Sequence, residues 1–180
     1  DALWAGIVQA HVPSAKIGDL QAALGAADLS GPRANEKVDA VIAKFTADPG
    51  EATLPALMPE IDRCFSAETL QEIVAQLKKS NSEFAQKQLA ALMKLSPLSM
   101  AITLEQLRRC AVRSFEDTMT IEYRMSQRCM QKGHDFFEGV RALLIDKDQK
   151  PKWSPATIEG VTREMVEEHF RPVSNDLFFD

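Results

Sequence analysis

From Pro59 to Pro172 the chain repeats one pattern, a Ser, Thr or Asp followed by apolar residues that return every three or four positions. That rhythm matches the 3.6-residue turn of an α-helix and not the two-residue alternation of a half-buried strand. Ile61 and Phe65 mark a short first helix. After Ser66, the expected cap, Leu70, Ile73, Val74 and Leu77 share one stripe. Ser80-Asn81-Ser82-Glu83 has capping-box spacing and opens a helix carrying Phe84, Leu89, Leu92 and Met93. Ser96-Pro97 sets a cap before a proline at the first helical position, ahead of Ile102, Leu104 and Leu107. Ser114 caps the longest pattern, 115–132, with Phe115, Met119, Tyr123 and Met130 on one stripe and Ile121, Met125 and Cys129 adjoining it. Two adjoining stripes predict burial on more than one side, so 115–132 is read as the central helix of a bundle. Gly133 provides the turn out of it. Asp135 is the expected N-cap of the next helix, which carries Phe136, Phe137, Val140, Leu143 and Leu144 and ends near Lys147. Thr162 caps a last helix with Met165, Val166 and Phe170, stopped by Pro172.

The first 58 residues read differently. Gly25, Gly31, Pro32, Pro49, Gly50 and Pro55 give them a linker-like punctuation. Ser14 is the expected cap of a helix with Ile17, Leu20 and Leu24 on one stripe, stopped near Gly25, and Val38, Val41, Ile42 and Phe45 form another stripe over about 34–46. The segment 7–12, bounded by Gly6 and Pro13, is short and apolar and predicts a strand, with an extended surface connection as the alternative. A lone strand needs a sheet from elsewhere to satisfy its backbone. The fold class is therefore all-α, a multi-helix domain with at most one short N-terminal strand, divided into 1–58 and 59–180.

Composition excludes several classes of partner. A length of 180 residues with 45% hydrophobic and 26% charged content suffices for a buried core. A formal charge of −5 argues against nucleic acid and anionic membrane as partners. No apolar run approaches the roughly 20 residues of a membrane span. There is no Lys/Arg-led apolar leader, and the opening Asp1-Ala2-Leu3-Trp4 reads as the interior of a larger protein. Cys64, Cys110 and Cys129 have no paired spacing and are expected as reduced thiols in a cytoplasmic or mitochondrial-matrix setting.

No catalytic or metal-binding motif stands out. His11, His134 and His169 are far apart in sequence without metal-ligand spacing, so no metal is expected. His134 reads as a turn residue, Glu167-Glu168-His169 as a solvated face, and Cys110 and Cys129 as core. Arg108, Arg109 and Arg113 read as a solvated basic face. Glycines are too dispersed for a phosphate loop.

Four segments carry a resemblance: SPLSMAITLEQL (96–107), EYRMSQRCM (122–130), GHDFFEGVRALLIDKDQKPKW (133–153) and VTREMVEEHF (161–170). They resemble the C-terminal region of the crotonase superfamily, the enoyl-CoA hydratase/isomerase fold, and within it the 3-hydroxyisobutyryl-CoA hydrolases. Generic hydratases share only a looser D-x-x-EG element, here Asp135, Glu138 and Gly139, and an acid–Lys pair, here Asp146-Lys147. The resemblance implies that 1–58 closes a crotonase core and adds linker helices, while 59–180 is the C-terminal helical domain. It implies a part in hydrolysing the thioester of 3-hydroxyisobutyryl-CoA in valine breakdown, covering the acyl-CoA site and helping subunits assemble. Oxyanion-hole and catalytic acid motifs would lie upstream, leaving no catalytic residue here and an inactive isolated chain. Coenzyme A enters as part of the substrate, with no separate cofactor. The implied partners are the acyl-CoA, the N-terminal crotonase core and further copies in a homo-oligomer. Lys147 would sit near the coenzyme A phosphates, with Leu143 or Leu144 near the adenine. The alternative for Lys147 is a favourable place against a helix dipole. The alternatives for the whole are a hydratase or isomerase of the same family, or a helical interaction domain without chemistry.

Overall fold

The computed structural model describes residues 1–179 and falls into two units, Asp1–Pro59 and Glu60–Asp180. The first unit opens with a turn over 1–6 and an extended run to Pro13. A 3-10 turn (Ser14–Lys16) leads into α1 (Ile17–Ala26), which packs against α2 (Ala34–Ala43). No strand forms among the described residues. The segment 7–12 finds no ladder, and its tie is at His11, whose carbonyl accepts the Ala47 N–H at 3.0 Å. Ile7 is accordingly 75% exposed. The Asp1 carboxylate accepts the N–H groups of Thr53 and Leu54 and so caps α3 (Leu54–Phe65) from a distance in sequence. α3 carries Pro59, the last residue of the first unit.

The second unit holds the core. It comprises α4 (Leu70–Lys79), α5 (Glu83–Leu92), α6 (Pro97–Cys110), α7 (Phe115–Cys129) and α8 (Asp135–Val140). A π turn (Arg141–Ile145), a 3-10 turn (Ile158–Gly160) and α9 (Arg163–Glu168) complete it. Cys64, Ile73, Leu77 and Ala85 form one buried cluster, and Leu70, Val74, Met100 and Ile158 another. Leu98, Ile102 and Phe170 form the third. α4 supplies four of these residues and is the central helix, each buried aliphatic contributing about 1.5–3 kcal/mol before chain entropy is counted.

The expected centre, 115–132, is instead a flanking helix with no fully buried residue. Phe115 is 69% and Met130 55% exposed, and Met119 and Tyr123 are half-buried. The adjoining stripe is the one that packs, with Ile121 and Met125 lying against Leu98, Ile102 and Phe170. An apolar stripe specifies a helical face and not which neighbour arrives to cover it.

Three caps fall where the spacing put them: the side chains of Ser96, Ser114 and Thr162 accept N–H bonds from Ser99, Asp117 and Met165. Three others move. Thr69, not Ser66, caps α4 in a full capping box with Glu72. Ser82, not Ser80, caps α5, because Ser80 is buried and donates to Glu60 at 2.7 Å. His134, not Asp135, caps α8, its Nδ1 accepting the Phe136 N–H at 3.1 Å. No helix among the described residues is long and apolar enough to cross a membrane.

Candidate functional site

An open groove of about 1110 Å³ lies within the second unit. One wall is the apolar face of α6, with Met100, Leu104 and Leu107. The other is built by α8, the π turn and the strap 149–153, through Phe136, Val140, Leu143, Leu144 and Trp153. The π turn arises because the Asp146 N–H reaches back five residues to the Arg141 carbonyl at 2.8 Å. Leu143 and Leu144 consequently face outward at 51% and 68% exposure and line the groove. Lys147 does not line it. It is exposed on the following loop with φ +56°, as is Gln149 with φ +57°, and the lysines at the groove are Lys94 and Lys150.

The D-x-x-EG element fastens this wall. Asp135 is buried, accepting the Ser96 hydroxyl and the Ser154 N–H, the latter at 2.8 Å. Glu138 accepts the Lys152 N–H at 2.6 Å and a two-pronged pair of bonds from Arg141. The Arg141 bonds first, and the Lys152 N–H second, hold the Glu138 carboxyl down at about 2. Arg141 also donates to Asp146 at 2.6 Å and Asp148 at 2.8 Å, and its bonds to Glu138 first, then to Asp148 and Asp146, send its own pKa upward. A methyl on Gly139 would stand 3.3 Å from the Trp153 ring. The Trp153 indole N–H donates to the Lys94 carbonyl at 3.1 Å. These carboxylates are consumed by structural bonds, and Glu138 is held as an anion unsuited to donate a proton near neutrality.

Beside the groove the structure assembles a cluster that spacing in sequence hid. Cys129 at the end of α7, His134 and the buried His169 just past α9 bring their ligand-capable atoms within 4.8 Å of one another. The two Nε2 atoms of His134 and His169 are 2.9 Å apart. Their outer partners fix both tautomers. His134 Nδ1 accepts the Phe136 N–H, so its proton is on Nε2 and is donated to His169. His169 carries its proton on Nδ1 and donates it to the Met165 carbonyl at 2.8 Å. Burial first, and then the neighbouring His169, hold the His134 pKa below the ordinary range, while burial pushes the Cys129 thiol up. The expectation that His134 and His169 are remote is therefore corrected: 35 residues apart in sequence, they are in contact. No motif signals this, because the loop after Gly133 and the end of α9 meet only through tertiary packing.

The Glu167-Glu168-His169 run also departs from a simple solvated face. His169 is buried and Glu167 pairs with Arg109 at 2.7 Å. Arg109 in turn bonds Glu105 at 2.6 Å and stacks over the Phe170 ring at 4.2 Å.

A family model described as enoyl-CoA hydratase/isomerase matches residues 1–170. The mitochondrial 3-hydroxyisobutyryl-CoA hydrolase of Gallus gallus is 44% identical over 98% of this chain and 46% of its own length. The Homo sapiens protein of that name is 50% identical over 68% of this chain and 32% of its own. Among solved structures, a carnitinyl-CoA dehydratase from Mycobacterium thermoresistibile matches with a TM-score of 0.83 at 33% identity, covering 100% of this chain and 49% of that one. An enoyl-CoA hydratase from Rhodobacter sphaeroides matches at 0.82 and 37%, covering 99% and 49%. The chain thus spans less than half the length of the relatives it matches.

Proposed function

The chain belongs to the enoyl-CoA hydratase/isomerase family, and from that premise we propose that it is the C-terminal portion of an acyl-CoA thioester hydrolase acting on 3-hydroxyisobutyryl-CoA. The observation that carries this reading is the 44% identity to a hydrolase of that name across 98% of the chain. Hydrolysis adds water to the thioester carbonyl, breaks the C–S bond and releases the acid and the coenzyme A thiol. The oxyanion donors and acids for those steps would come from a preceding crotonase core. This chain would supply cover: the apolar groove walled by Leu143 and Leu144, and, from the exposed loop that follows and outside the groove lining, an ammonium at Lys147 for the phosphates. In support of that role, Lys147 is exposed on a left-handed loop and takes no part in the ion pairs of the Arg141 cluster. Homo-oligomeric assembly, a place in valine breakdown and a matrix location in a eukaryote belong to the same proposal; the relatives' names carry the word mitochondrial.

A thiol-release assay tests it. The protein joined to its crotonase core should release coenzyme A from 3-hydroxyisobutyryl-CoA, and this 180-residue chain alone should stay at background. The matching solved structures favour a second reading, a hydratase acting on an enoyl-CoA. Water addition to an enoyl-CoA without thiol release would select it. Turnover by the isolated chain would refute the division of labour.

A further inference from the structure

We propose that Cys129, His134 and His169 form a binding site for one divalent transition-metal ion of the zinc class, coordinated by the Cys129 thiolate and the two Nε2 atoms. The inference stands on the cluster's geometry and does not depend on the thioesterase reading. Thiolate and imidazole are the donor set that borderline-soft divalent ions select over magnesium or calcium. Zinc bonds of about 2.0–2.1 Å to nitrogen and 2.3 Å to sulfur put tetrahedral donors about 3.3–3.6 Å apart. The three donor atoms already lie within 4.8 Å of one another, so side-chain rotations suffice to close the set. The His134–His169 nitrogens, at 2.9 Å, need only a few tenths of an ångström of separation.

The two histidines are unequally prepared, and the asymmetry gives the site a signature. His169 is ready: Nδ1–H is spent on the Met165 carbonyl, which aims the Nε2 lone pair at the cluster. His134 is not, because its proton occupies Nε2 and Nδ1 is engaged as the α8 cap. Metal uptake must move that proton to Nδ1, which then no longer accepts the Phe136 N–H. The Cys129 thiol loses its proton to solvent as the metal–sulfur bond forms. Each ion bound therefore releases one proton from sulfur, relocates one on His134 and opens the cap of a six-residue helix. Cys129 and His134 both border the groove, so water from that side can complete a fourth position.

Cobalt(II) added to the purified protein is the probe. The expected result is saturation at one ion per chain, with a thiolate-to-cobalt charge-transfer band, visible bands of tetrahedral intensity and a shifted Phe136 amide signal. Zinc should displace the cobalt and protect Cys129 from alkylation. Cys129→Ser should abolish the charge-transfer band, and His169→Gln should weaken binding by a factor of about ten or more. Because His169 is buried and its replacement can unfold the protein, His134→Gln provides the independent imidazole deletion, with the same loss expected. Cys110→Ser and His11→Gln should leave the spectra unchanged. Cobalt spectra of octahedral intensity without a sulfur band, or binding that survives Cys129→Ser unaltered, would overturn the proposal and leave a hydrogen-bonded histidine pair.

Discussion

Helices α1 and α4 are each ten residues long and each carries an apolar stripe, yet α4 buries Leu70, Ile73, Val74 and Leu77 while α1 has no fully buried residue. The difference runs through the whole chain. None of the described residues of the first unit is fully buried, whereas the second unit holds three clusters. α1 packs against α2, but α4 is enclosed by α5, α6 and the 3-10 turn at Ile158. A stripe becomes a core only when neighbours close over it from more than one side, because hydrophobic stabilisation scales with area removed from water.

The largest expected effect tests that contrast directly. Leu77→Ala, at a site with no exposure, should destabilise the second unit by about 2–5 kcal/mol, while Leu24→Ala in the half-buried stripe of α1 should cost about 1 kcal/mol or less. Urea melts of both variants decide it, and equal losses would break the comparison. Next comes Asp135→Ala, which strands the Ser96 hydroxyl and the Ser154 N–H. About 1–3 kcal/mol should be lost, and Asp135→Asn should lose less because its carbonyl can still serve Ser154. Native-state hydrogen exchange at Ser154 would report the same event locally.

A smaller effect sharpens the picture within the second unit. Phe115→Ala should change stability by no more than about 0.5 kcal/mol, since the ring is 69% exposed. A thermal melt showing a loss several times larger would restore α7 to the centre. The smallest effect is titrational. The Glu138 pKa falls from the ordinary 4.5 to about 2, so its contribution is full above about 4.5 and is lost as the pH falls through 2. Arg141→Met should return the carboxyl toward its ordinary range in an NMR titration. A carboxyl that stays low would assign the effect to the Lys152 N–H alone.

Local grammar was legible in the sequence and tertiary assembly was not. Ser96, Ser114 and Thr162 cap as expected because a cap is decided within four residues. Ser66, Ser80 and Asp135 were misassigned where a nearby residue offered a competing cap or a tertiary bond claimed the side chain. Helix existence followed from periodicity, but the choice of α4 over α7 as centre depends on which faces meet. Of the groove, periodicity placed Leu143 and Leu144 only as apolar residues of the helix after Asp135, and the resemblance alone singled them out. The Cys129–His134–His169 cluster was not, since its members come from three segments joined by no spacing rule.

The strap that walls one side of the groove puts the D-x-x-EG element in a different light. Asp135 grips the backbone of residue 154, Glu138 that of residue 152, and bare Gly139 leaves room for the ring of residue 153 between them. Three consecutive residues are thus read by three residues of a single helical turn, much as a key's teeth meet their wards. The acid, acid and glycine are one half of a split word whose other half, Lys152-Trp153-Ser154, lies more than a dozen residues downstream. Anyone grafting this wall onto another helical scaffold would have to move both halves together: either alone would leave two carboxylates without their backbone donors, or an indole without its berth.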